Sequence, residues 1–347
     1  MNTFGMKRMS HPMTIAFFIF LFILVLLSER TNGITPKQIP AQFYSFNTIF
    51  LSMIIESLPF ILIGAFVSVL IQSFVSQKLI KRLFSGHRTI LAMVPAALTG
   101  VLFPVCECAI IPVIRSLIKK GLPQHLGIVM IAAIPVLNPI VFLSTFYAFQ
   151  NNPVILYGRM TIALLSSLFI GAAVYHLFGQ YSILKGESVS HENRISWQSF
   201  YMHEQNQHGH QHTHFNLQDT LMHISDEFFD TAKFFIFGAI IASSFQTFFN
   251  QHLLTSIGAN PGLGAASMMG LAYLLSVCST SDAFLGASFT GVFTPGAITA
   301  FLVFGAMLDI KNTMMLFGVF KARFVFTFFI LTSVSVYTLC QLMDWLL

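Results

Sequence analysis

Charged residues are scarce in this sequence. Asp, Glu, Lys and Arg make up 9% of its 347 residues, against roughly 25% in ordinary soluble domains. Hydrophobic residues make up 55%, and they form long uncharged runs at 60–75, 127–149 and 324–339. Because uncharged runs of this length are typical of helices that cross a lipid bilayer, the sequence predicts an all-α polytopic membrane protein and excludes a large soluble core.

A nucleic-acid-binding surface is lacking as well. The net charge is +5, but the basic residues lie in short segments between apolar runs, and no basic stripe with interleaved aromatic residues occurs. With a cytoplasmic N-terminus, thirteen Lys and Arg residues fall on the cytoplasmic side and two or three on the exterior, as the positive-inside rule describes. We therefore expect a multi-pass protein of the cell membrane. Its apolar run at 12–28 is a retained first span, because no small-residue cleavage site follows it.

Seven apolar segments are long enough to span a bilayer, and two other segments are interrupted. Segments 89–118 and 263–293 each contain about 30 residues with Gly, Cys and polar residues, and the first also contains three prolines. The interruptions favour two half-length helices that meet at depth, a re-entrant hairpin, over one long span. The charge distribution favours a first hairpin that enters and leaves on the cytoplasmic side, and two short full crossings are the alternative. The seven spans are 12–28, 47–76, 126–150, 154–178, 228–250, 297–320 and 324–345.

The order of features in the first half recurs in the second. Seventeen residues separate Cys106 from Pro123, and seventeen separate Cys278 from Pro295. Because several such matches follow in the same order, we predict two inverted repeats, the layout of many secondary transporters. A duplication without a transport role is the alternative. The predicted regions are an N-terminal span and external loop at 1–45, a first permease repeat at 46–178, a cytoplasmic His-rich linker at 179–226 and a second permease repeat at 227–347.

The first interrupted segment places a carboxylate between two thiols. Its central residues are Cys106, Glu107 and Cys108, flanked by Pro104 and Pro112. Proline interrupts a helix, and unpaired backbone within a membrane is tolerated only where it is buried in protein or lines a wet cavity. Thiolates suit a thiophilic metal or metalloid, arsenic included, so the three central residues are candidate substrate contacts. The alternative is that the cysteines are packing residues and that the carboxylate binds free backbone amides.

The second interrupted segment offers one thiol, a run of hydroxyls and a carboxylate. Its candidate substrate contacts are Cys278, Ser279, Thr280 and Asp282. These groups suit an ion or a proton, or they satisfy backbone that the break has freed. Asn138, which precedes a proline in an apolar segment, marks a predicted kink and is a candidate for the same cavity.

Further polar residues are candidates for coupling or gating. Asp309, Lys311 and Asn312 fall in the middle of an apolar span, where a lysine is costly. Two positions apart on a helix, the Asp and the Lys face different sides, so they meet only if the helix opens there. Glu56 and Asp230 each precede a glycine by eight residues, near the ends of their spans. As interfacial charges they need no function, which is the alternative for that pair.

The linker contains histidines in strict alternation. Neutral imidazoles at His208, His210, His212 and His214 are good ligands for zinc, copper or nickel. We expect this loop to bind a divalent metal without a preformed geometry. A passive loop is the alternative, since flexible polar segments tolerate such tracts.

Three motifs make the sequence resemble a known family. PVCECAIIP at 104–112, VCSTSDAF at 277–284 and GAMLDIKN at 305–312 are similar to those of a predicted permease family that includes the ArsP organoarsenical efflux permeases. The resemblance extends from about residue 45 to the end, apart from the linker. Many members resemble one subunit of a two-component permease complex, so the resemblance implies transport and a smaller membrane partner. Glu107 stands where many relatives have a small polar residue, a departure that leaves the substrate open.

The sequence thus favours a permease, not an enzyme, in which a small solute passes between the two hairpins by alternating access. The solute classes are a thiophilic metal, a metalloid or organoarsenical, and an anion. One alternative is a membrane thiol-redox enzyme that uses the C-x-C pair, although no C-x-x-C and no cofactor motif occurs. The other is a metal-responsive membrane sensor or scaffold. A homo-oligomer is compatible with all three.

Overall fold

The described part of the chain is helical. The structure, a computed structural model, describes residues 41–74, 89–102, 105–150, 152–179, 182–185, 217–248 and 261–347. Within these ranges it contains twelve α-helices and no β-strand. The predicted span at 12–28 and the four alternating histidines lie outside the described residues. The helices are α1 (Ala41–Phe74), α2 (Thr89–Leu102), α3 (Glu107–Lys119), α4 (Gln124–Ala133), α5 (Pro139–Ala148), α6 (Pro153–Phe178), α7 (Leu217–Phe248), α8 (Pro261–Leu275), α9 (Asp282–Ala287), α10 (Pro295–Met307), α11 (Ile310–Val319) and α12 (Ala322–Leu346).

Five helical stretches are long and apolar enough to cross a membrane. They are Gln42–Ser73 in α1, Pro153–Phe178 in α6, Leu221–Thr247 in α7, Pro295–Val319 across α10 and α11, and Ala322–Leu346 in α12. Many of their large exposed side chains are apolar, as a surface that faces lipid requires. These stretches confirm the predicted all-α polytopic membrane protein. α7 begins at Leu217, ten residues before the predicted start of the second repeat.

Four breaks divide the apolar segments into shorter helices. They lie between α2 and α3, between α4 and α5, between α8 and α9, and between α10 and α11. The first and third were predicted. The segment 126–150, predicted as one kinked span, is instead two helices of 10 residues, each about 15 Å long, because Pro135 and Pro139 lack backbone donors and hold the chain out of the helix. The segment 297–320 likewise opens at Asp309, whose backbone is extended.

The two helices at each break pack on other elements rather than along each other. α2 packs on α4 and α6, whereas α3 packs on α1, α4 and α11. In the second half, α8 packs on α10, and α9 packs on α5 and α10. This packing differs from a closely packed helical hairpin, and the re-entrant path of the chain stays a prediction.

The molecule has a basic end and an opposite end. At the basic end, Ile183 N donates to Gln124 Oε1 at 3.3 Å, and Lys321 N donates to Ile183 O at 2.9 Å, which joins the start of α4 to the α11–α12 junction. At the opposite end, Asp344 of α12 accepts from Thr294 Oγ1 and from Gly296 N, each at 2.7 Å. The basic side chains on or beside the basic end are Arg115, Lys119, Lys120, Lys185, Lys321 and Arg323.

Two glycines bring long helices against half-length ones. A Cβ atom on Gly64 of α1 would lie 2.7 Å from the carbonyl oxygen of Ala109 in α3. A Cβ atom on Gly238 of α7 would lie 2.9 Å from the Cα of Lys311 in α11. Both distances are far inside van der Waals contact, so only glycine permits these crossings. The first turns of α3 and α11 are therefore covered by α1 and α7, while α10, buried along nearly its whole length, occupies the core.

Candidate functional site

Two crossings bring the breaks of the two halves together. α3 packs against α11, and α5 packs against α9, so each crossing takes one helix from either half. Each of these helices follows directly after a break, and Glu107, Asn138, Asp282 and Asp309 at their N-terminal ends are no more than 5% exposed. The Glu107–Lys311 centre, at the first crossing, comprises Cys106, Glu107, Cys108, Ser276, Cys278, Asp309 and Lys311. The Arg159 centre, at the second, comprises Thr145, Arg159, Ser279, Asp282 and Leu302.

Asp309 organises the Glu107–Lys311 centre. As the N-cap of α11, its Oδ1 accepts from Asn312 N at 2.6 Å, which satisfies one of the free backbone N–H groups of the first turn. Its Oδ2 accepts from Ser276 Oγ at 2.6 Å and lies 3.6 Å from Lys311 Nζ. The extended backbone at Asp309 lets the lysine reach back, so the opening that the sequence required for an Asp309–Lys311 contact is present. Both carboxylate oxygens are thus satisfied, with the two charged residues at most 4% exposed.

Ser276 joins two breaks and holds a strained backbone. Its φ is 50°, the only positive φ of a non-glycine residue within the described ranges. Such a conformation costs of order 1–3 kcal/mol and persists where surrounding contacts determine it. Here the hydroxyl donates to Asp309 and lies 3.5 Å from Lys311 N, so the strain places one oxygen between the break before α9 and the break before α11. Sequence reasoning had not assigned Ser276 a role.

Glu107 is the least satisfied member of the centre. It is the first residue of α3 and 2% exposed, and its Oε2 has no hydrogen-bond partner. It lies close enough to Asp309 and Lys311 to interact with both electrostatically. One lysine therefore faces two carboxyl groups, and its contact is with Asp309. An unpaired charge in such surroundings is costly.

The thiols of both predicted segments converge here. The thiols of Cys106 and Cys108 interact with each other, with Cys106 half-buried and Cys108 buried. Cys278 is half-buried, lies 3.5 Å from Thr280 Oγ1, and interacts electrostatically with Lys311 and Glu107. All four cysteines are free. Among the described residues, no group of three or more His, Cys, Asp or Glu side chains is arranged to hold a metal ion.

Arg159 forms the second centre, which sequence reasoning missed. The residue lies in α6 and is fully buried. Nη2 donates to Asp282 Oδ1 and Oδ2 at 3.0 and 2.9 Å, to Ser279 O at 3.1 Å and to Leu302 O at 3.2 Å. Nη1 donates to Thr145 Oγ1 at 2.8 Å. The guanidinium therefore links α5 and α6 of the first half to three elements of the second half, namely the break before α9, α9 itself and α10.

The remaining candidates are more dispersed. Asn138 is the N-cap of α5, where its Oδ1 accepts from Ile140 N at 2.9 Å. Asn312, on the first turn of α11, is buried with Oδ1 unpartnered. Glu56 is exposed on α1, and Asp230 is exposed and paired with Lys233 at 2.7 Å. The structure thus gathers the predicted thiols with Glu107, Asp309 and Lys311, separates Asp282 from them, and leaves Glu56 and Asp230 at the surface.

Half-length helices with buried ionisable residues at their breaks are typical of integral membrane transporters. The chain belongs to the predicted permease family ArsP_1, whose model matches residues 42–344. It is 42% identical to the UPF0718 protein YcgR of Bacillus subtilis over 286 residues, which are 82% of this chain and 92% of that protein. It is 32% identical to a "Putative two-component membrane permease complex subunit" of Streptococcus mutans serotype c over 304 residues, 88% of this chain and 96% of that protein. No solved structure matches the chain.

Proposed function

We propose that the protein is a secondary permease that moves a small solute past the Glu107–Lys311 centre by alternating access. The observation that carries this proposal is the meeting of broken helices from both halves around buried charged groups. In secondary transporters, discontinuous helices place their free N-termini and polar side chains at the solute site near the middle of the bilayer. The centre is closed in this structure, because Glu107, Asp309 and Lys311 are nearly inaccessible. Transport then requires the two halves to move relative to each other.

The two ends of the molecule support an inverted arrangement of the halves. The first broken segment leads through Lys120 to Gln124 at the basic end, whereas the second leads to Thr294 and Gly296 at the opposite end. A pathway that opens first on one side of the centre and then on the other fits this arrangement. By the positive-inside rule the basic end is cytoplasmic, which agrees with a cytoplasmic N-terminus.

Alternating access is tested without a known solute. In a variant that keeps Cys106 and has Ser at Cys108, Cys278 and Cys340, a membrane-impermeant maleimide is applied to right-side-out and to everted vesicles. We expect labelling from both sides, because the half-buried thiol faces each compartment in turn. The control is Lys321→Cys at the basic end in a background with all four native cysteines replaced by Ser, which should react from one side only. Labelling of Cys106 from a single side would contradict alternating access.

The solute class is tested by flux into everted vesicles. Three probes differ in the relevant properties: methylarsenite is neutral and binds thiols, arsenate is an anion without thiol affinity, and Zn²⁺ is a thiophilic cation. We propose that a thiol-binding solute is carried, so replacement of Cys106, Cys108 and Cys278 by Ser should abolish its uptake. Unchanged flux in that variant would remove the thiols from the mechanism and leave the permease. Failure of all three probes to exceed vesicles without the protein would contradict these solute classes.

We also propose that the protein acts with a second, smaller membrane subunit. The printed name of the Streptococcus mutans relative supports this, since it describes one subunit of a two-component complex. No observation on the described residues favours the thiol-redox enzyme or the metal-responsive sensor, and both stay hypotheses from the sequence.

A further inference from the structure

The Glu107–Lys311 centre holds more negative than positive groups. Asp309 has three partners, namely Ser276 Oγ, Asn312 N and Lys311 Nζ. Glu107 Oε2 has none, and neither has Asn312 Oδ1 on the first turn of α11. Both unpartnered atoms are hydrogen-bond acceptors. With two carboxyl groups beside one lysine, the centre lacks a hydrogen at Glu107 Oε2 and one positive charge. A single proton on Glu107 supplies both.

The groups that face Glu107 come from several elements. On α3 itself they are Cys106 and Cys108, and on α11 they are Asp309 and Lys311. The third break contributes Cys278, which also interacts with Glu56 of α1. The other elements packed on α3 carry their charges elsewhere: the Arg115–Glu227 pair joins α3 to α7 eight residues along, about 12 Å away, and His125 lies in the first turn of α4, against Tyr175. Lys311 is therefore the one described cation that interacts with Glu107, and Asp309 already contacts it.

We propose that Glu107 is the proton-binding residue of the transport cycle, taking a proton from water on one side of the membrane and returning it to water on the other. This inference rests on the proposed function, because a cycle that opens to both sides is what makes the exchange productive. Protonation converts the carboxylate into a neutral acid with an O–H donor, which removes the surplus charge while the centre is closed. Deprotonation needs contact with water, which the open states provide.

A proton fits this position better than a sodium ion. The groups beside Glu107 are the thiols of Cys106, Cys108 and Cys278, and soft sulfur ligands are poor partners for a hard cation. The distance to the molecular surface is short, since Val105 and Cys106 directly precede Glu107 and are both half-buried. A small displacement of this break would therefore expose the carboxyl group without unfolding α3.

Infrared difference spectroscopy tests the proposal directly and needs no solute. The purified full-length protein in lipid nanodiscs is compared at low and at high pH, between about 5 and about 9, where an ordinary exposed carboxyl group has already ionised. We expect the C=O absorbance of one protonated carboxyl group to be lost as the pH rises. Glu107→Gln should lack this change, and Glu107→Asp should keep it at a shifted frequency. Asp226→Asn, on the exposed face of α7, is the matched control and should behave as the wild type.

Each outcome bears on the proton site separately from the permease. A band of unchanged amplitude in Glu107→Gln overturns the proposal, as does a band in the wild type that disappears at constant pH when choline is replaced by sodium. If Glu107→Gln does not yield folded protein, the shifted band of Glu107→Asp decides. Two-sided labelling of Cys106 without a titrating Glu107 would leave the permease and remove the proton. A titrating Glu107 with labelling of Cys106 from one side only would leave the proton-binding residue and contradict alternating access.

Discussion

Removal of the carboxylate at Asp282 should destabilise the protein far more than removal of an exposed one. Arg159 is fully buried and donates to five acceptor atoms, of which Asp282 supplies two. In Asp282→Asn the guanidinium keeps its charge and three neutral acceptors, Thr145 Oγ1, Ser279 O and Leu302 O. Removing one partner of a buried ion pair costs about 3–5 kcal/mol, because the other charge is left uncompensated.

The matched control is Asp230→Asn on α7. Asp230 forms an ion pair with Lys233 at 2.7 Å, slightly shorter than the Arg159–Asp282 pair, but its side chain is 55% exposed. Exposed pairs contribute about 0–1 kcal/mol, so this substitution should leave stability almost unchanged. The two variants remove the same functional group from pairs of similar length and differ in burial.

The assay is the loss of monodisperse protein after heating in detergent, followed by size-exclusion chromatography. We expect an apparent Tm about 5 °C or more below the wild type for Asp282→Asn, and none of that shift for Asp230→Asn. The double variant Arg159→Met, Asp282→Asn should recover at least half of the loss, since it no longer buries a charge. Equal Tm values for Asp282→Asn and Asp230→Asn, or a double variant less stable than Asp282→Asn, would refute the role assigned to Arg159.

Two further substitutions probe the helix crossings. Gly64→Val should lower the apparent Tm by an amount equivalent to about 1–3 kcal/mol, because the new side chain meets the backbone of α3. Gly270→Ala, with open space around it, should leave the Tm unchanged. Similar losses in the two variants would refute the close approach of α1 and α3. Ser276→Gly relieves the strain of the positive φ but removes the hydroxyl that donates to Asp309, the N-cap of α11. We therefore expect flux to fall several-fold while thermal stability stays near that of the wild type. Full flux would show that the hydroxyl is dispensable.

The apolar runs of the sequence predicted most of the membrane-spanning helices, and the breaks that were missed have physical reasons. Long uncharged segments predicted the spans. Prolines beside polar residues predicted the break at Cys106, and a run of hydroxyls with a carboxylate predicted the break at Cys278. The break between α4 and α5 was underestimated because 127–149 is uncharged throughout, so Asn138 and Pro139 were interpreted as a kink. The structure separates the two helices because consecutive turns lose their donors.

The site was less predictable than the fold, since its contacts join positions far apart in the chain. Asp309 and Lys311 could be selected as a buried pair because both charges stand in one apolar span. Arg159 could not be paired in this way, as Asp282 lies 123 positions further on and the arginine falls near one end of its helix. A better signal was available: an arginine with no neighbouring acid inside an apolar helix predicts a distant partner. The positive φ of Ser276 could not be predicted either, because a serine in the sequence does not indicate that conformation.

The Arg159–Asp282 pair also bears on how the chain is made. The two residues are 123 positions apart, so at about 5–20 residues per second Asp282 is made about 6–25 s after Arg159. During that interval the first half carries a cation whose final surroundings are unfinished. The second half completes those surroundings when it supplies Asp282. A chain truncated before residue 282 would therefore keep Arg159 without its carboxylate partner, a feature that the cell's quality control could recognise.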